Sequence, residues 1–179
     1  IVLTVITVIS LVGFNFHVIL PLLASDTLHT GPEVFGILSA CFGGGALVGA
    51  LLSASLGRAS WKALVGGTAG FSISLLALAP LASVWPCAIL LFVTGVCFTL
   101  WTSNANSILQ LRAPDHLRGR VVSLYLWAFA GLAPVGGLFA GWLCEVGGTQ
   151  LSFAVAGGTG LVMAALATRE LGATRRRAA

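Results

Sequence analysis

One apolar stretch of the chain carries a regular series of amide and hydroxyl side chains. Residues 86–111 contain no charged side chain, yet Thr99, Ser103, Asn106 and Gln110 recur at intervals of four, three and four. This spacing places the four side chains on one face of an α-helix. Such groups exchange hydrogen bonds without carrying charge, so the face is suited to moderate binding of a polar cargo. The alternative is that each group hydrogen-bonds to a neighbouring helix.

A second polar stretch lies at the start of the chain. Residues 1–24 are otherwise apolar but include an amide and the only histidine that falls within an apolar stretch. Imidazole, indole and amide groups together can meet a cargo that is both polar and aromatic. The candidates for a cargo path are Asn15, His17, Trp101, Ser103, Asn104, Asn106 and Gln110.

The composition predicts that these stretches cross a membrane. Hydrophobic residues make up 58% of the 179 residues and charged residues only 8%, against roughly a quarter charged in soluble domains. An all-α bundle of six membrane spans is predicted over residues 1–169, followed by a basic tail at 170–179. The spans are 1–24, 34–56, 63–79, 86–111, 121–144 and 151–168, and most are long enough for a hydrocarbon layer of ~30 Å.

The charged residues predict the orientation of the bundle. Threading six spans puts all nine basic residues on one side, in the link at 57–62, the loop at 112–120 and the tail. The other side holds Asp26, Glu33 and Glu145 and no Lys or Arg. Basic loops stay in the cytoplasm, so both ends of the chain are predicted to be cytoplasmic. Basic residues confined to loops and a tail also argue against nucleic-acid binding, despite the net charge of +4.

The loop at residues 112–120 is the densest cluster of charge between two apolar runs. Its sequence is Arg-Ala-Pro-Asp-His-Leu-Arg-Gly-Arg. Asp115 is predicted to cap the helix that follows Pro114. Arg118 and Arg120 come after the helix start, where the helix dipole does not favour cations. They are interpreted as gating residues that pair with acidic groups or anionic lipid at the cytoplasmic mouth, or else as a solvated turn that only orients two spans.

Glycines mark the second and fifth predicted spans. Each span contains a Gly-x-x-x-Gly motif, Gly45 to Gly49 and Gly137 to Gly141, which allows two helices to approach closely. The order of spans, polar, then glycine-rich, then plain, occurs twice. This pattern predicts 3+3 inverted repeats of the kind found in transporters.

The sequence gives no sign of an enzyme, a metal site or a cofactor. The four cysteines form no Cys-x-x-Cys pair and have no histidine at zinc-ligand spacing. A membrane serine protease would need a histidine in a later span, and the three histidines are His17, His29 and His116. No enzymatic activity, metal or cofactor is therefore predicted.

Several segments resemble the major facilitator superfamily, specifically the C-terminal half of a twelve-helix transporter. The resemblance is most specific at residues 114–125, Pro-Asp-His-Leu-Arg-Gly-Arg-Val-Val-Ser-Leu-Tyr, and continues at 131–134 and 140–143. Together with residues 29–36, these segments are similar to the branch of the superfamily that includes the enterobactin exporter and the macrolide efflux proteins. One departure is that Ala54 and Ser55 stand before Gly57-Arg58, where that superfamily often has charged residues.

The resemblance implies a function and a partner. It implies alternating access, with the first and fourth helices of each half lining the cavity, and these are the two polar spans. The implied activity is proton-linked efflux of small amphipathic molecules of the drug, macrolide or siderophore type, in the bacterial cytoplasmic (inner) membrane. An N-terminal six-helix half of the same transporter would be the partner, and the start at Ile1, inside an apolar run, is interpreted as that of a fragment. The alternative is a self-contained six-span protein acting as a homodimer or scaffold.

Overall fold

The chain folds into long α-helices, and the part that the structure describes contains no β-strand. The computed structural model describes residues 2–13, 15–55, 57 and 59–177, with side chains described only up to Arg169 and not at positions 2, 3 and 5. Arg58, one of the basic residues used above for orientation, lies outside the described residues. The helices are α1 (Val2–Gly13), α2 (Phe16–Leu22), α3 (Pro32–Ser55), α4 (Trp61–Leu78), α5 (Val84–Arg112), α6 (Arg118–Leu126) and α7 (Ala133–Arg177).

Local sequence explains where the central helices begin and end. Proline suits the first turn of a helix, and an acid suits its positive end, so α3 begins at Pro32 with Glu33 beside it. The hydroxyl of Ser60 caps α4 by accepting a hydrogen bond from the backbone N–H of Ala63 at 3.4 Å. Helix α5 ends where Ala113 turns extended before Pro114, as expected for a residue that precedes proline.

Among the described residues, five segments are long and apolar enough to cross a membrane. They are residues 6–27, 32–55, 61–78, 84–112 and 115–169. The last segment is 55 residues long and leaves helical geometry at Gly147 (φ −144°, ψ 21°) and Gly148 (φ 69°, ψ −179°). The positive φ of Gly148 lies in a region that side chains disfavour, so the chain bends sharply at this pair.

Two of the polar or glycine-rich stretches are interrupted helices. Asn15 adopts φ −119° and ψ 36° between α1 and α2, and a π-helical turn follows at Leu23–Thr27. A second π-helical turn at Trp127–Gly131 separates α6 from α7. Pro134 lies just after it and has no N–H to donate to the carbonyl group four residues earlier, which accounts for the wider turn there.

The prediction that Asp115 caps a helix is wrong. Asp115 is the first residue of a short 3₁₀ turn, Asp115–Leu117, whose N-cap is Pro114, and the N-cap of α6 is Leu117. Its carboxylate instead lies 2.9 Å from the guanidinium of Arg118. An arginine three residues along a helical turn offers the carboxylate a charged donor, and this contact replaces the cap.

Glycines set the closest helix contacts. A Cβ atom at Gly45 would collide with the backbone carbonyl of Phe92, and one at Gly49 would lie 2.5 Å from the carbonyl oxygen of Val96, so α3 and α5 touch backbone to backbone. Gly136 has the same role against α1, because a Cβ there would lie 2.5 Å from the carbonyl oxygen of Leu11. Gly137 and Gly141 meet only the side chain of Val18, at 3.5 and 4.0 Å. The strict contact of α7 with α1 is therefore one residue before the Gly-x-x-x-Gly motif.

Candidate functional site

The polar face of α5 is continuous. Since α5 is one unbroken helix from Val84 to Arg112, Ser103, Asn106 and Gln110 lie on one side of it. The amide of Gln110 donates a hydrogen bond to the Asn106 side-chain oxygen at 2.7 Å. All three side chains are half-buried, so they remain partly open on the α5 surface. Two linked amides of this kind still have donors and acceptors to offer a bound molecule.

A cavity of about 740 Å³ adjoins this face at the end of α5. Its size falls within the range of small-molecule sites. Hydroxyl and amide groups alternate in its wall with small or apolar residues, and the lining comprises Ser53, Ala54, Gly57, Ala59, Asn104, Ser107, Gln110 and Leu111.

Asn104 makes contacts different from those of the other candidates on α5. Its side chain is 2% exposed, and its oxygen accepts a hydrogen bond from the backbone N–H of Ser60 at 2.8 Å. Its NH₂ group donates to the carbonyl of Leu100 at 2.8 Å and, at 3.4 Å, to the hydroxyl of Ser53. Asn104 thus joins α5 to the end of α3 and the start of α4. The regular polar spacing along α5 carries no signal of this role.

Trp101 lies at the centre of an aromatic cluster rather than on the polar face. It is fully buried, with ring centroids 6.0 Å from Phe98, 6.4 Å from Phe71 and 6.5 Å from Phe129. Its indole N–H has no hydrogen-bond acceptor among the described residues. Buried donors are usually paired, so this N–H is available to a polar group that reaches the cluster.

The two candidates from the first polar stretch are placed differently from each other. Asn15 is buried, donates to the carbonyl of Leu11 at 2.9 Å and packs against Gly136. His17 is exposed and lines a cavity of about 230 Å³ between α2 and α3. Aromatic rings from Phe16, Phe35 and Phe42 form much of the wall beside it.

The loop at residues 112–120 lies at one end of α5. The Asp115 and Arg118 side chains that form the ion pair are 92% and 51% exposed, and Arg120 is exposed as well. Arg112 lies over the ring of Trp61, with its guanidinium carbon 5.0 Å from the ring centroid. This cation–π contact connects the end of α5 to the start of α4. An arginine after one apolar run and a tryptophan before another were the only signals of it in the sequence.

A family comparison bears on the whole of this arrangement. The family described as transmembrane secretion effector, a major facilitator family, matches residues 1–176. The chain belongs to this family. Membership accounts for the long apolar helices and confirms the major facilitator resemblance of the sequence.

Curated relatives of this secretion effector chain carry the name multidrug efflux pump Tap. The proteins of that name from Mycobacterium bovis (strain BCG / Pasteur 1173P2) and Mycobacterium tuberculosis (strain ATCC 25618 / H37Rv) are each 33% identical to it over 134 residues. The match covers 71% of this chain and 31% of each relative. The matched part of the chain therefore corresponds to about a third of the length of these relatives. No solved structure matches it.

Proposed function

We propose that the chain is one half of an efflux carrier that exports small amphipathic molecules by alternating access. The family match over residues 1–176 and the relatives named as multidrug efflux pumps support transport. The match to only 31% of each relative's length supports a partner in the form of a second, N-terminal six-helix half. The enterobactin and macrolide branch of the resemblance gives the cargo class, which is drug-, macrolide- or siderophore-like.

The observation that carries this proposal is the hydrogen-bonded amide pair on the half-buried face of α5. Polar groups facing lipid would be unfavourable, and Asn106 and Gln110 bond to each other at 2.7 Å rather than to another helix. Their remaining hydrogen-bonding capacity faces a polar passage. Ser103 lies on the same face, and Asn15, His17 and Trp101 complete the proposed path through the bundle. Asn104 was predicted to lie in this path, but its buried amide is bonded to Ser60, Leu100 and Ser53, so the proposed path does not include it.

Proton coupling depends mainly on residues of the other half. The six predicted spans contain no Asp or Glu, and an intramembrane acid or histidine is the usual proton carrier in such a cycle. His17 is the histidine that lies within a predicted span, and it lines a cavity. It can contribute a proton site next to the aromatic wall, while the main coupling groups come from the partner half.

The fold of the half is a six-span bundle with 3+3 inverted repeats. A single helix of the 55-residue last segment would be about 80 Å long, more than twice the ~30 Å hydrocarbon layer. The bend at Gly147 and Gly148 divides it into two spans. In support of the repeats, the glycine-rich second span packs on the fourth through Gly45, and the fifth packs on the first through Gly136.

The basic loops and the basic tail lie in the cytoplasm in this arrangement, and the bundle lies in the bacterial inner membrane. The exposed Arg118 and Arg120 then stand at the cytoplasmic mouth, with Asp115 held by Arg118 at 2.9 Å. Their gating partners are acidic residues of the other half or anionic lipid headgroups.

Thiol labelling tests the proposed passage. Cysteines are introduced one at a time at Ser103, Asn106 and Gln110 of the complete carrier, after its own cysteines are replaced by serine. A water-soluble maleimide should modify all three, and an excess of a transported dye should slow the reaction. A cysteine at Leu90, on a helix face that packs against the core, is the control and should stay unmodified. Absence of labelling at all three positions in every state of the cycle would remove the carrier proposal.

A further inference from the structure

We propose that Asn104 is a positioning residue that fastens the α3–α4 loop to α5, so that the loop follows the movement of α5 during transport. The inference rests on the proposed function, but its structural part can be tested without any cargo.

The contacts of Asn104 reach three separate elements. Its side-chain oxygen accepts from the N–H of Ser60 at 2.8 Å, and its NH₂ group donates to the Ser53 hydroxyl at 3.4 Å. Ser53 belongs to the last turn of α3, and Ser60 is the N-cap of α4. The amide therefore holds both ends of the loop between these helices. At 2% exposure, the bonds do not compete with water, which increases the cost of breaking them.

Apart from Ala59, which packs against the core, the loop borders open space on its α5 side. The cavity of about 740 Å³ separates Gly57 and Ala59 from Ser107 and Gln110, and a Cβ added at Gly57 would meet no atom within 4 Å. The second attachment in the described structure is the exposed Arg112 over Trp61, at 5.0 Å. Exposed cation–π contacts are weak, so the buried amide is the stronger of these two polar attachments.

The contacts of Asn104 with Ser53 and Ser60, called the clamp below, lie on the same turn of α5 as the proposed cargo face. Two residues along an α-helix differ by about 200° in direction and about 3 Å in height. Asn106 therefore leaves α5 on nearly the opposite side from Asn104, at almost the same depth. A displacement of this turn by cargo at Asn106 is passed directly to the loop by Asn104. The last turn of α3 has Ala54 and Ser55 where the superfamily often has charged residues, and a neutral amide supplies the attachment instead.

The test compares the same substitution at two neighbouring positions. Asn104→Ser keeps a hydroxyl that can bond to the Leu100 carbonyl but is too short to reach Ser60. Asn106→Ser is the matched control. Each is made in the complete carrier without native cysteines and with Ala59→Cys in the loop. Inside-out vesicles are treated with an impermeant maleimide, and efflux of ethidium is measured in parallel.

In the Asn104→Ser variant, the maleimide should react with the thiol introduced at position 59 roughly three to ten times faster than in the parent. This is the change expected for the loss of one hydrogen bond, the one from the Ser60 N–H. Asn106→Ser should label at the parent rate. In transport, Asn104→Ser should lower the maximum rate at unchanged KM, whereas Asn106→Ser should raise KM. Unchanged labelling in Asn104→Ser, or equal acceleration in both variants, would overturn the clamp.

A third variant covers a failure of Asn104→Ser to accumulate in the membrane. Asn104→Asp retains the acceptor for the Ser60 N–H, and the Ser53 hydroxyl can donate to the new carboxylate in place of accepting from the amide. Protection of the thiol introduced at position 59 close to that in the parent would support the clamp, and loss of that protection would overturn it. Because labelling needs no cargo, these outcomes are independent of whether ethidium is exported. A carrier that labels as expected but moves no substrate would leave the clamp in place and contradict the proposed function.

Discussion

Individual glycines in α3 differ in how much space is available for a side chain at their positions. Gly45 faces the carbonyl of Phe92 so closely that a methyl group has no room, whereas a Cβ at Gly43 would meet nothing within 4 Å. We expect Gly45→Ala to destabilise the carrier by about 1–3 kcal/mol, because a backbone carbonyl cannot rotate away as a side chain can. Gly43→Ala, two residues away on the same helix, is the control and should keep or slightly raise the thermal unfolding midpoint, because alanine favours the helix more than glycine does. Equal midpoints for the two variants would contradict the backbone contact.

For individual residues, the sequence predicted the chemistry of a side chain better than it predicted which residues that side chain contacts. Helical spacing placed Asn106 and Gln110 on one face, and they are bonded to each other. The same spacing leaves Asn104 off that face, but it could not identify the partners of Asn104, Ser53 and Ser60, because only the tertiary fold brings them close. It likewise indicated the glycine-rich face of α7, but not that Gly136 is the glycine that makes the closest contact with α1. That choice depends on the depth at which α1 crosses.

At the level of helices, one hydroxyl pair joins two parts of the chain that are 122 residues apart in sequence. The hydroxyls of Thr27, in the π-helical turn after α2, and Thr149, beside the bend in α7, are 2.7 Å apart. Thr149 is 2% exposed. Thr27→Val should therefore cost about 1–3 kcal/mol of unfolding free energy, because it strands a buried hydroxyl.

A double-mutant cycle checks this contact. Adding Thr149→Val to Thr27→Val removes the stranded hydroxyl, so the double variant should regain most of the lost stability. Unfolding of the purified carrier in denaturant gives the four free energies. Losses that simply add would show that the two hydroxyls act independently.

The interruptions of the helices were beyond what periodicity can predict. Hydrophobic spacing predicts one span over residues 1–24, and it does not indicate that the backbone leaves helical geometry at Asn15. Pro134 was a visible signal for the turn at Trp127–Gly131, since its missing N–H frees a carbonyl one turn earlier. The remaining cause is packing. Asn15 is fitted against Gly136 of α7, a partner more than a hundred residues away.

On the scale of the whole molecule, the number of spans determines where every loop lies. Six spans place the bend at Gly147–Gly148 on the opposite side of the membrane from the loop at 112–120. His29 and Gln150 line one cavity of about 410 Å³, so they must face the same compartment whichever way the bundle is oriented. Labelling of exposed residues at these three places from each side of the membrane can therefore show how many spans lie between them.

We expect His29→Cys and Gln150→Cys to react with an impermeant maleimide in right-side-out vesicles and His116→Cys to react only in inside-out vesicles. All three side chains are exposed, so access to the reagent depends on the compartment and not on local burial. The reason for opposite compartments is length: residues 118–147 rise about 45 Å as a helix, enough to cross the membrane once before the bend. His29→Cys serves as the internal standard for the outer side. If positions 116 and 150 react from the same side, the last segment does not divide at the glycine pair, and the six-span arrangement with its cytoplasmic basic loops fails with it.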